Sequence, residues 1–387
     1  ILRTNKQKKA ILEKAVISNA TLSAPLNALL NATKENATEG RQAVEGANSL
    51  FFYPDQISKG IMDFRKTVQV IKDASGNMGI AISPSANNPS HTHTVLASLP
   101  PIYPEWLGDR SFQENHRLRF PYVGGAMANG ITTTKMVIAL AKAGMLGFFG
   151  AAGLPADKVA LAIDELKATL DPLGLSWGSN LIHSPIEPKL EEQVADLYIR
   201  QGVRRVSASA YMQLSASVVR YACTGLHLDG QGQIQRKNFL FAKISRPETA
   251  ELFMSPAPKK LLNALASKGL LTAEEVQLAQ QIPLAEDITV EADSGGHTDR
   301  QALSAIFPTI AMLRDSLVQR YAYRRPIRLG AAGGLGSPSA VAAAFSMGAA
   351  YVLTGTVNQA CVESGLHESG RKNLAMAKTG DVGMAPA

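Results

Sequence analysis

Cysteine is nearly missing from this sequence, which has two in 387 residues, Cys223 and Cys361. Two cysteines frame no disulfide scaffold and have no zinc-ligand spacing, and that usage points to a reducing cytoplasm. Long apolar runs are missing too. Every apolar stretch meets a charge or a glycine before the roughly 18 residues a membrane span requires, so no membrane insertion is expected. The opening run ILRTNKQKKAILEKA is basic and has no apolar h-region followed by a small-residue cleavage site, so it predicts no secretion. A basic block is also lacking. The formal charge is +7 at pH 7, but the basic residues are scattered through helical stretches without interleaved aromatics, and nucleic acid is not the expected partner. A basic surface suits an acidic carrier protein or a phosphorylated cofactor equally well, because it raises the encounter rate with anions. Charged residues make up only 18% of the chain and apolar ones 45%, enough for a sizeable core and against disorder.

Two regions of different character follow. Residues 1–48 are polar, Ala/Asn-rich and helical in pattern, with few large side chains to bury, and read as an arm. From Ser49 to His116 short apolar runs alternate with Pro, Gly, Ser and Asn, the pattern of short strands and loops in a small annex. Residues 1–117 are thus expected to form an arm and annex, and 118–387 a second domain. In the second region short β-like segments alternate with stretches bearing apolar residues at three- and four-residue spacing, the βαβα signature of a parallel sheet. Expected strands are Tyr122–Ala128, Leu146–Ala151, Trp177–Ile182, Arg205–Ser209, Phe239–Ile244, Ile288–Ala292, Ile327–Ala331 and Tyr351–Leu353. Between the first two lies the helix TTTKMVIALAKAG; after the second comes PADKVALAIDELKATL, with Pro155 suited to its first turn. Eight such units predict an α/β fold of the (β/α)8 TIM-barrel type, which needs about 250 residues and leaves room for an annex. The fifth strand is followed by a helical insertion, about 246–285, expected on the C-terminal face where barrels carry their functional loops.

Among motifs with chemical content, Gly330-Ala-Ala-Gly-Gly-Leu-Gly336 is the strongest. Here Gly333, Gly334 and Gly336 lie between a strand and the helix SPSAVAAAFSMGA. Glycines let a phosphate approach the backbone, and N–H groups at a helix start offer it positive dipole ends. About twenty residues on, Thr354-Gly355-Thr356 ends the eighth strand with an amide and a hydroxyl for the same phosphate, a site barrels often build after strands seven and eight. A Rossmann fingerprint is the rival reading of Gly334-Leu-Gly336, but no acidic residue ends the next strand and only about thirty residues remain. Glycines that serve only tight turns are the other reading. At the end of the sixth strand, Glu291-Ala-Asp-Ser-Gly295-Gly296-His297 places an imidazole on a glycine-backed turn at the mouth, where it can move protons near neutral pH. Small residues Gly124, Gly125, Ala126 and Met127 after the first strand let an isoalloxazine ring lie on backbone. Asn180 can bond its pyrimidine edge, and Lys243 can neutralise charge on the reduced flavin. Asn180 and Lys243 are each equally open to a structural role. His91, His93, His116 and His227 are weaker candidates and His183 an intermediate one.

The ordered set GGAMANG, FGAAGL, NLIHSP, SASAYM, DSGGHTD, GAAGGLG and TGTVNQACVESG resembles the trans-acting enoyl reductases of polyunsaturated fatty acid and polyketide synthases. These PfaD-type enzymes fall within the wider class of nitronate monooxygenase-like FMN barrels, and the likeness runs from about Arg119 to the end. What the resemblance implies is reduction of an enoyl thioester held on an acyl carrier protein, with FMN and NADPH. It matches Gly295, Gly296 and His297 to the family's Gly-Gly-His turn. Gly333 to Gly336 and Gly355-Thr356 match its phosphate loops, and Asn180 a flavin-contacting Asn. Family members continue past the MAPA end, and the chain starts at Ile1, so it is expected to be part of a longer protein. A nitronate monooxygenase is the alternative enzyme, and a non-catalytic docking subunit of a synthase the alternative of another class. A phosphosugar isomerase is conceivable. An IMP dehydrogenase-like barrel needs a nucleophilic cysteine beyond strand six, and neither cysteine is there. A homodimer is the default assembly.

Overall fold

The structure is a computed structural model that describes residues 49–82, 93–292, 294, 298–378, 381 and 383. The expected N-terminal arm lies outside these. The chain divides into two compact units between Ile102 and Tyr103.

In the first unit, strands β1 (Ser49–Phe51), β2 (Val68–Asp73), β3 (Met78–Ile82) and β4 (His93–Leu99) form an antiparallel sheet of order β1-β3-β2-β4. The β2–β3 hairpin turns tightly because Gly76 takes φ +90° and Asp73 Oδ1 accepts from Asn77 N at 2.8 Å. Val68, Ile80 and Ile82 are its small core, covered by Phe51 and by Ile57 of helix Pro54–Ile61.

The second unit is a closed barrel of eight parallel strands. They are β5 (Tyr122–Gly124), β6 (Leu146–Phe149), β7 (Gly178–Ile182) and β8 (Arg205–Ser209), then, past a short hairpin of β9 (His227–Leu228) and β10 (Ile234–Gln235), β11 (Phe239–Ile244), β12 (Asp287–Glu291), β13 (Arg328–Ala332) and β14 (Tyr351–Thr354). The ring closes where Val352 of β14 pairs with Tyr122 of β5. The expected (β/α)8 fold is therefore observed. Several of its helices start on polar caps: Thr133, Ser215 and Ser337 accept from Met136, Val218 and Ala340 N–H, and Thr272 and Glu275 form a capping box. Pro155 is the N-cap of helix Ala156–Leu170, one residue outside the turn predicted for it.

Two expectations are corrected. The unit boundary lies at 102/103 and not at 117, because helix Arg110–His116 belongs to the barrel. Phe112 and His116 are fully buried, and Phe112 stacks on Tyr351 at 4.3 Å. The helical insertion is present, but it does not extend the C-terminal face. Helix Pro247–Met254 is the barrel's own cover after β11, burying Ala250 and Phe253. Helices Lys259–Ser267 and Ala273–Ala279 follow it and pack on helix Ala216–Cys223, whose far end they meet where Gly225 N donates to Glu275 Oε1 at 2.6 Å. Helices of such a barrel run back toward the N-terminal face, so the insertion lies at that end.

The barrel interior is solid. Phe148, Phe241 and Tyr351 fill its middle, with Tyr351 OH and Thr289 Oγ1 2.8 Å apart, and Phe112 lies on the N-terminal side. Everything polar at the other end therefore rests on a packed floor.

Candidate functional site

At the C-terminal ends of the strands three glycine-bearing loops meet. After β13, Gly333 (φ +88°) is forced: a Cβ there would come within 2.9 Å of the Ala292 backbone. Gly334 (φ +72°) and Gly336 face open space. The N–H groups of Gly334, Leu335 and Gly336 have no backbone acceptor among the described residues, and helix Pro338–Ser346 begins directly after them. After β14, a Cβ on Gly355 would meet nothing closer than 4.0 Å, and Thr356 opens the short helix Thr356–Gln359. This end is locked from outside: Tyr122 OH bonds Thr354 Oγ1 and Asn358 Oδ1, while Asn358 Nδ2 donates to Thr354 O at 3.1 Å.

The third loop, after β5, reaches the second. A Cβ on Gly355 would lie 4.0 Å from Met127 Sδ, and Gly125 N donates to Thr354 O at 2.9 Å. A Cβ on Gly125 would come within 2.6 Å of the Leu353 Cδ2 methyl, so a larger residue there must displace that side chain. Buried Thr132 pins the loop, accepting from Met127 N at 2.9 Å and donating to Gly125 O at 2.8 Å. Gly124 lies within β5, and Ala126 and Met127 follow in the loop.

Asn180, at 6% exposure, accepts on Oδ1 from Ala151 N (2.8 Å) and Ala152 N (3.2 Å). That bonding fixes the amide's orientation, and its Nδ2 donates to no partner among the described residues. Replacing Asn180 by Ala leaves two buried N–H groups without an acceptor. The expected cost is about 1–3 kcal/mol in urea unfolding, with weaker cofactor retention as a second readout.

Lys243, at the C-terminal end of β11, is paired with a carboxylate. Its Nζ lies 2.8 Å from Glu291 Oε1, which also accepts from Ser294 Oγ at 2.9 Å. The pair is nearly buried, so each charge offsets the desolvation of the other. Gly295, Gly296 and His297 lie outside the described residues. Beyond them Asp299 ties the same loop down, accepting from Ser245 Oγ (2.8 Å) and Arg246 Nε (2.7 Å).

His183 has partners the sequence did not reveal. Its Nδ1 lies 2.9 Å from Glu191 Oε2, its ring stacks on Tyr211 at 4.8 Å, and Glu191 Oε1 accepts from Tyr211 OH (2.9 Å) and from Ser215. Burial first, then the Glu191 charge, pushes the Tyr211 hydroxyl well above its ordinary value, so Tyr211 stays a donor. Only a helix face and two loops in register assemble these four, and no local motif marks them. The remaining candidates lie elsewhere: His116 at the N-terminal floor, His227 in the β9–β10 hairpin, His93 in the first unit, and His91 outside the described residues.

Chemically, this mouth offers free backbone donors on glycines where a phosphate ester would sit, a small-residue ledge, a fixed amide donor at Asn180 and a neutralised ion pair. Those features fit a phosphate-bearing planar cofactor. Among the described residues no group of His, Cys, Asp or Glu can hold a metal, and no helix is long and apolar enough to cross a membrane.

A closed barrel of eight parallel strands, with glycine-bearing loops after its seventh and eighth strands, defines the structural class. Within that class the chain belongs to the nitronate monooxygenase family, whose model matches residues 111–385. It is 47% identical over 283 residues to a subunit of the polyunsaturated fatty acid synthase of Thraustochytrium sp., covering 73% of this chain and 19% of that protein. It is 41% identical over 286 residues to the polyketide biosynthesis protein PksE of Bacillus subtilis, covering 74% and 37%. Among solved structures, the enoyl reductase domain of MlnA from the macrolactin biosynthesis cluster of Bacillus amyloliquefaciens matches with a TM-score of 0.67 and 40% identity, over 69% of this chain and 60% of that one. The chain thus spans less than two thirds of each of these proteins. The resemblance drawn from the ordered motifs is borne out.

Proposed function

We propose that the chain is an FMN-dependent enoyl reductase that reduces the double bond of enoyl thioesters on an acyl carrier protein, with NADPH as the electron source. The observation that carries this reading is the likeness of its barrel to the enoyl reductase domain of MlnA. The polyunsaturated fatty acid synthase and polyketide relatives support the same setting.

When bound, FMN would supply the two-electron chemistry that links NADPH to the thioester's double bond. The protein's part is to bind, orient and protonate. Backbone donors at Gly334, Gly336 and Gly355 hold the phosphate, with Gly333 providing the turn and Thr356 a hydroxyl. The ledge Gly124, Gly125, Ala126 and Met127 would carry the ring, with Asn180 Nδ2 as a donor for its polar edge. The Lys243–Glu291 pair places a cation at the mouth without leaving a net buried charge.

His297, backed by Gly295 and Gly296, delivers the proton to the α carbon, balancing the hydride added at the β carbon. His297→Ala is expected to keep bound FMN and its reduction by NADPH while slowing turnover of an enoyl thioester by about 100-fold. Unchanged turnover in a steady-state assay removes His297 from this role. The family match itself favours a second reading, a nitronate monooxygenase whose cofactor is reduced by substrate and reoxidised by oxygen. Bleaching by an alkyl nitronate but not by NADPH separates the two.

A further inference from the structure

The N-terminal face of the barrel, away from the mouth, holds a pocket of about 230 Å3 lined by Arg117, Asp171, Ser176, Trp177, Arg204 and Arg205, among others. Three separate stretches build it: the turn after helix Arg110–His116, the segment leading into β7, and the start of β8. Three guanidinium groups share this space with one carboxylate, and that carboxylate is already engaged, since Asp171 Oδ1 accepts from Trp177 Nε1 at 2.9 Å.

Arg205 is the informative member. It is 7% exposed, yet among the described residues it makes no ion pair with a carboxylate. Its Nε donates to His116 Nδ1 at 3.2 Å, and the far nitrogen of that ring meets Asp287 at 2.9 Å, which Arg328 already chelates. The buried ionic cluster behind the pocket therefore contains three arginines, Arg205, Arg236 and Arg328, against two carboxylates, Glu286 and Asp287. A buried cation left over in this way is costly unless a counter-charge reaches it. Burial first, and then the neighbouring Arg204 and Arg117, push the Arg205 guanidinium down to about 10.

We propose that this pocket is a phosphate site, in which Arg117, Arg204 and Arg205 hold the dianion of a small phosphate monoester. Guanidinium forks match phosphate oxygens in geometry. With Asp171 counted, the pocket wall carries two net positive charges, which a phosphate dianion neutralises and a single carboxylate does not. The site stands apart from the flavin reading.

The test uses the full chain saturated with FMN, so that the loops at the mouth are filled, and follows thermal unfolding at pH 8 during titration with inorganic phosphate at constant ionic strength. A saturable rise of the midpoint is expected, reproduced by methyl phosphate and not by acetate. Arg117 and Arg204 are exposed, so their replacement leaves the core intact; Arg117→Gln and Arg204→Gln are each expected to weaken phosphate about tenfold. No midpoint rise in the unaltered chain, an equal rise with acetate, or an undiminished rise in the double variant R117Q/R204Q each overturns the assignment. A chain that takes up no FMN ends the flavin reading but leaves the variant comparison valid, because these arginines lie at the opposite end of the barrel.

Discussion

Gly336→Asp is expected to weaken FMN binding by about 100-fold while leaving the fold intact. A Cβ at Gly336 meets nothing within 4 Å, and its backbone is not among the positive-φ glycines, so neither a clash nor strain follows from the side chain. The added carboxylate instead stands beside N–H groups that have no backbone acceptor of their own among the described residues. Placing like charge against a phosphate costs several kcal/mol, and about 3 kcal/mol corresponds to the stated loss. Fluorescence titration of the apoprotein with FMN reads the affinity, and thermal unfolding of the apoprotein confirms the fold. Equal affinity in G336D and the parent chain would show that the loop after β13 does not hold the phosphate.

Asp287→Asn is expected to lower stability by about 3–5 kcal/mol, because it strands a buried cation. Asp287 takes both arms of Arg328, at 2.7 and 2.9 Å, and His116 Nε2 at 2.9 Å, all with next to no solvent exposure. Burial alone would raise the Asp287 carboxyl, but the Arg328 charge and then His116 hold it well below the usual carboxylate range. For His116 burial dominates and pushes the imidazole below its ordinary 6.5, outweighing the pull of Asp287. Both groups thus bind protons more weakly in the folded chain than in the unfolded one. Their contribution is complete above pH 6.5 and declines as pH falls, first through the ordinary histidine range and then through and below the carboxylate range near 3.8. Urea unfolding from pH 8 to pH 4 is expected to show that decline, with a shallower slope below pH 5 in D287N. A D287N chain within about 0.5 kcal/mol of the parent would mean that this network does not secure the barrel floor.

The eight barrel strands are legible in the sequence because parallel strands buried on both faces read as short apolar runs between helical stretches. Their ends are less so. Ala126 to Ala128 and Gly150 to Ala151 look like strand in composition, yet at Gly150 a Cβ would collide with Met127 O, and the chain leaves the ladder there to build the mouth. The glycine-bearing loops after β13 and β14 are visible because small residues cluster at those two strand ends. The Lys243–Glu291 pair is not, since it depends on β11–β12 register, Lys243 opposite Thr289, which composition does not specify. The placement of the insertion also escapes a reading of the sequence, because an amphipathic helix after a strand reads alike on either side of the barrel. Only the burial of Ala250 and Phe253 identifies helix Pro247–Met254 as the barrel's own. His116 reads as an annex residue in sequence, although its chemistry is spent on the barrel floor, where its partner Asp287 is 171 positions away in the chain.

The central claim is most directly tested by the absorption spectrum of the purified chain before and after anaerobic NADPH. Flavin bands that NADPH bleaches and an enoyl thioester restores are the predicted result. Bands that persist with NADPH and bleach with an alkyl nitronate would contradict the reductase, and a colourless protein that takes up no FMN would contradict the flavin site itself, leaving a barrel that docks synthase components.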